Sequence, residues 1–151
     1  MSRRRQIVLG IAMLIVAVFI CLQIIPPEKI RPDYKFPGNP PVNQQFQWDS
    51  PQTEKLARAA CYDCHSNETR YPWYASVAPA SWLVNYDVNF ARDALNFSTW
   101  GKSDMDLNSM IDQIESGEMP KAIYLPLHPE AQLSAAQKQQ LIAGLKATFG
   151  S

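Results

Sequence analysis

The sequence predicts an all-α protein, a small helical head domain behind an N-terminal transmembrane helix and a Pro-rich tether. Three observations carry that prediction. An apolar run extends from Ile7 to Ile25, six prolines fall between Pro26 and Pro41, and beyond residue 50 apolar residues recur at three- and four-residue spacing with no strand-like alternation. At 151 residues the chain has room for one ordinary domain once the first two segments are set aside.

Residues 1–6 carry Arg3, Arg4 and Arg5. Residues 7–25 hold a single strongly polar side chain, Gln23, and as a helix would reach roughly 28 Å, enough for a bilayer core. The arginines keep the short first segment in the cytoplasm and send everything after Ile25 across the membrane. No small-x-small cleavage site follows the run, only Pro26 and Pro27, which favours an uncleaved anchor over a removed signal peptide. Cys21 follows Ile20 where a lipidation site would carry a small residue, and reads as apolar filler. Residues 26–49, with Pro32, Pro37, Pro40 and Pro41, form the tether; extended at ~3.1 Å per residue it would reach about 70 Å.

The head domain is residues 50–151. Ser50-Pro51 with Glu54 opens a first helix that runs into Cys61, and Leu56, Ala59 and Ala60 give it an apolar face. A second starts near Ser81, after Pro79, with Trp82, Val84, Val88, Ala91 and Leu95. The third begins near Asp106, faces inward through Leu107, Met110, Ile111 and Ile114, and stops at Gly117. The last opens on Ser134 and Gln137 at capping-box spacing and buries Leu141, Ile142, Leu145 and Phe149. So small a helical domain has little core of its own, and something must fill its centre.

Charge excludes one class of partner. Apart from the three N-terminal arginines, 11 basic residues face 14 acidic ones, a net charge of −3 with no cationic cluster, so nucleic-acid binding is not expected.

Cys61-Tyr62-Asp63-Cys64-His65 is CxxCH, the attachment signature of c-type haem. Two thiols at this spacing form thioethers to the two haem vinyl groups, and the adjacent imidazole reaches the iron. A zinc site would draw on Cys61, Cys64, His65 and at best His128, an unusual set. A thioredoxin-like thiol pair lacks its βαβ context, and a Cys61–Cys64 disulfide leaves His65 unexplained. For the opposite axial position the candidates are Met105, Met110, Met119 and His128. Met110 belongs to a core face and Met105 to an unsupported loop. Met119, between the helix-stopping Gly117 and Pro120, is preferred, with His128 or an open site as alternatives. Trp73, Tyr74, Trp82, Phe97 and Trp100 form an aromatic set that either walls the porphyrin or makes an ordinary core, and Arg70 is a candidate partner for a haem propionate.

The run from Cys61 through Ser66-Asn67-Glu68-Thr69-Arg70-Tyr71-Pro72-Trp73-Tyr74 resembles the bacterial haem-binding domain family, membrane-anchored proteins named for a CxxCH motif. The likeness continues through Val77-Ala78-Pro79, Ser81-Trp82-Leu83-Val84, Asp87-Val88 and Leu95-Asn96-Phe97-Ser98-Thr99-Trp100. It resumes at Gly117-Glu118-Met119-Pro120, and Tyr124, His128, Pro129, Ala131, Leu133 and Ser134 also fit. Tyr86, Ala91 and Lys121 depart from the family pattern, which often has His, Gly and Pro there. The resemblance implies a cytochrome c-like haem domain of the bacterial cell envelope. The expected function is one-electron transfer at the periplasmic side of the inner membrane by one covalent haem c per chain, with a redox partner protein of the envelope. A peroxidase-like or ligand-sensing haem with a displaceable sixth ligand, and a haem-free thiol module, are the alternatives.

Overall fold

A computed structural model describes residues 2–45, 47–100 and 106–150. Among them are six α-helices, several 3-10 turns and no strand: α1 (Arg3–Ile24), α2 (Pro51–Ala60), α3 (Tyr62–His65), α4 (Ala80–Ala94), α5 (Leu107–Ser116) and α6 (Ala135–Phe149). The chain forms two compact units, one of residues 1–36 with 71–87 and the other of residues 37–70 with 88–151.

In the first unit, α1 is the one described helix long and apolar enough to cross a membrane, and none of its residues is buried. After it, 3-10 turns at Pro27–Lys29 and Pro32–Tyr34 replace the featureless chain expected there. Proline at the first turn of each fixes φ where no amide donor is needed. Tyr34 then stacks on Trp82 and meets Tyr86 edge-on, its carbonyl accepting from the Asn85 side chain.

In the second unit the capping chemistry acts as the sequence predicts. Ser50 Oγ accepts from Thr53 N–H, Asp106 from Ser109 N–H, and Ser134 and Gln137 close a complete capping box. Gly117 ends α5 at φ 79°, a conformation that favours glycine. Leu56, Ala57, Leu95, Phe97, Met110, Ile114, Leu141 and Leu145 make the core. Gly144 lets α6 approach α2 closely, since a Cβ there would collide with the Thr53 side chain.

The second half of the expected tether is built into this unit. Asn39 exchanges hydrogen bonds with the Thr69 backbone, the Asn67 side chain donates to Pro41 O, and Asn43 N–H donates to Ser98 O. Arg92, on α4, donates to the carbonyls of Gly38 and Ser66 and to the side chains of Asn39 and Thr69. Trp48 packs on Phe97 and Phe149. The extended reach of a free chain therefore does not apply to these residues.

Candidate functional site

Helix α2 delivers Cys61 to a turn that α3 completes. The amides of Cys64 and His65 both donate to Cys61 O, so the whole CxxCH motif lies on about one helical turn. Tyr62 points from this turn into the core and stacks on Phe97 at 5.3 Å. His65 Nδ1 lies 3.0 Å from Ala91 O and 3.1 Å from Leu95 O, at the end of α4. Carbonyls only accept, so Nδ1 carries the proton and Nε2 keeps the lone pair. Burial holds the imidazole below its ordinary pKa against these two backbone bonds, with the Lys121 charge adding to the depression. A neutral ring with one nitrogen tied to carbonyls is the arrangement of a metal-ligating histidine.

His65 borders an apolar cleft shared with Cys61, Leu95, Met110, Ile114 and Met119. Met119 reaches it because Gly117 turns the chain back and Met119 N–H donates to Gln113 O at 3.0 Å. Burial pushes the Cys61 thiol up to about 12, with Cys64 adding to the shift, so it is protonated at neutral pH. Gln113 and Lys138 are the polar side chains of the lining. The cavity itself is about 50 Å³, room for a few waters.

A second cluster grips the motif turn. Asp63 Oδ1 accepts from Arg70 N–H at 3.0 Å and lies 3.6 Å from its guanidinium, while Oδ2 accepts from Tyr124 OH at 2.9 Å. The Tyr124 ring stacks on His128 at 3.7 Å, and His128 Nδ1 lies 3.3 Å from Glu130 Oε1. Burial, reinforced by the Asp63 carboxylate, drives the Tyr124 phenol well above its ordinary pKa. Ligand-type atoms of Asp63, His128 and Glu130 lie within 4.8 Å of one another. Both oxygens of Asp63 are already engaged by Tyr124 and Arg70, which makes the cluster a clasp on the turn.

Of the sequence candidates, the structure brings Cys61, His65 and Met119 to one cleft, with Met110 in the same lining. Cys64 lies on the same turn. His128 belongs to the clasp and is not among the cleft residues. Met105 lies outside the described residues. Arg70 pairs with Asp63, and Lys138 is the cation at the cleft. Phe97 and Trp100 stack in the core of the second unit, while Trp73, Tyr74 and Trp82 belong to the first; among the described residues the cleft lining is mostly aliphatic and sulfur-bearing, with His65, Gln113 and Lys138 and no Phe, Tyr or Trp. Asp63 is the residue that sequence reasoning missed, since it fills a variable position of CxxCH and its partner Tyr124 is 61 residues away.

The sequence model of the haem-binding domain matches residues 17–147, most of the chain and all the elements just described from the end of α1 to the last turn of α6. The chain belongs to the haem-binding domain family. No curated protein and no solved structure matches it. The donor chemistry fits the family's cofactor: a haem-binding domain needs a neutral imidazole with a free nitrogen and an apolar surround, and His65 and its cleft supply both. The cavity is far below the roughly 300 Å³ at the low end of small-molecule pockets, so its walls must part to admit a tetrapyrrole.

Proposed function

We propose that this haem-binding domain holds its haem covalently, as c-type haem on Cys61 and Cys64, and works as a one-electron carrier. His65 and Met119 are the residues that would hold its iron. Haem, when bound, supplies an iron that alternates between the ferric and ferrous states.

The observation that carries the reading is the pair of carbonyls on His65 Nδ1, together with the meeting of Cys61, His65 and Met119 on one cleft. The two carbonyls orient the ring and raise the basicity of Nε2. A thiol has the hydrogen and sulfur that would add across a vinyl group, so nothing would leave on attachment. Aliphatic walls exclude water, and a thioether from Met119 favours the ferrous state and a raised potential. Two protein ligands on the iron would leave no open position for a substrate, the arrangement of an electron carrier and not of a catalyst. Lys138, at the cleft lining, would pair with a propionate. The apolar α1 and the three arginines that begin it support a single-pass anchor in the inner membrane, with the haem unit on the periplasmic side facing a redox partner protein.

The test is a haem stain of denatured protein expressed with a c-type maturation system. Wild type should stay stained after denaturation, Cys64→Ser should lose most of the stain, and His65→Ala should be matured poorly. An unstained wild-type band beside a stained control cytochrome from the same cells would overturn covalent attachment.

A further inference from the structure

Gln23 is the single strongly polar side chain of the apolar run, and it sits in the last turn of α1. Its amide is fully used. Nε2 donates to Phe19 O at 3.1 Å and to Ala78 O at 3.0 Å, and Oε1 accepts from Ala78 N–H at 3.0 Å. The two bonds to Ala78 run in opposite senses, as in a ladder between strands, so they fix the height of residue 78 along α1 at the level of Gln23. Ala78 is itself buried.

Five residues earlier, the 3-10 turn Trp73–Ser76 carries the most exposed large apolar side chain described in the chain, Trp73 at 80%. The Tyr74 ring meets it edge-on at 5.8 Å, and Ser76 Oγ donates to Trp73 O, so the turn is braced from within. Five residues span at most roughly 17 Å even when fully extended, and a 3-10 turn shortens that. Trp73 is therefore held near the end of a helix that, if it crosses a bilayer, ends at the lipid headgroups. Tryptophan is the residue most at home in that zone, with an apolar ring and one N–H to satisfy.

We infer that the Trp73–Ser76 turn is a membrane-interface anchor, clamped to the end of α1 by Gln23, with the Trp73 indole seated among the lipid headgroups and upper acyl chains. The inference rests on reading α1 as a membrane span. A covalent anchor alone leaves its unit free to swing; the Gln23 clamp with Trp73 in the interface sets the unit's tilt and height.

The full chain, reconstituted into vesicles of phosphatidylethanolamine and phosphatidylglycerol, would carry a benzophenone amino acid at position 73 or, separately, at position 15 in mid-span. Irradiation should give lipid adducts at both positions, and Gln23→Ala should cut the adduct at 73 severalfold while leaving that at 15. Adducts at 15 without any at 73 would overturn the anchor and leave the span intact. No adduct at 15 would overturn the span and the anchor with it. A cross-linked dimer without lipid adduct at 73 would give the turn to a second copy of the chain and overturn the lipid assignment. An adduct at 73 that ignores Gln23→Ala would overturn the clamp.

Discussion

In the cleft the chain sets a thiol, an imidazole and a thioether among aliphatic side chains; in the clasp it sets a carboxylate, a phenol and a second imidazole among one another. The two histidines make the contrast sharpest. Both are largely covered, yet His65 spends its proton on two carbonyls and keeps a basic nitrogen, whereas His128 lies flat on Tyr124 with Nδ1 turned to Glu130. Burial alone does not make an imidazole a ligand. Both rings engage Nδ1, so what decides is the partner, two carbonyls for His65 against a carboxylate for His128, and the apolar cleft that the His65 ring borders.

Substituting each histidine is the strongest way to break this comparison. His65→Ala removes the proposed motif-side ligand and also takes the Nδ1 donor from the Leu95 carbonyl, while Ala91 O keeps Leu95 N–H, an additional cost of about 1–3 kcal/mol in the haem-free protein. The absorption spectrum of haem-loaded protein should lose its low-spin character and the melting temperature should fall. His128→Ala should leave the spectrum unchanged. A low-spin spectrum lost in His128→Ala and kept in Met119→Ala would exchange the roles assigned to the two residues.

Met119→Ala tests the far side of the cleft. Haem should remain on the denatured protein while the spectrum turns high-spin or begins to respond to added imidazole or cyanide. The haem-free fold should lose less than with His65→Ala, because the backbone bond from Met119 to Gln113 survives the substitution.

The cleft was more legible in the sequence than the clasp, for a physical reason. Ser50, Asp106, Gly117 and the Ser134–Gln137 pair act on amides within a few residues of themselves, so helix ends are written locally. CxxCH is equally local, and Met119 is marked by the glycine and proline beside it. The bonds from Tyr124 to Asp63, Asn43 to Ser98 and Arg92 to Gly38 join residues 54 to 61 apart and have no local signature. For the same reason residues 37–43 read as free tether when they are held by side chains far along the chain. The aromatic set was left between porphyrin wall and ordinary core because composition does not say which rings share a core, and the second alternative holds for Phe97 and Trp100. Phe97 and Trp100 stack with Phe149, while Trp73 lies in the open in the other unit.

Removing one oxygen probes the clasp without touching the cleft. Tyr124→Phe deletes the bond to Asp63 and keeps the ring stacked on His128, so stability should fall by about 1 kcal/mol with the haem spectrum intact. A changed spectrum would show that the clasp positions the motif turn for its ligand as well as stabilising it.

The smallest expected effect separates the two regions by pH. In the haem-free chain burial holds His65 below its ordinary pKa of 6.5. As pH falls through that value the unfolded chain takes up a proton the folded one refuses, and stability declines. Tyr124 is displaced in the other direction, above its ordinary 10. Its contribution is complete below that value and is lost as pH rises beyond it, because the unfolded phenol gives up its proton first. Thermal melts across this range should therefore decline at both ends. Tyr124→Phe should make the alkaline decline shallower, the remainder belonging to Cys61 and Tyr62, whose groups burial also pushes up, and should leave the acid decline; His65→Ala should flatten the acid decline and leave the alkaline one. If either substitution flattened both limbs, the cleft and the clasp would be one electrostatic unit, and the carbonyls that set the His65 tautomer would not be independent of the bonds that hold Asp63.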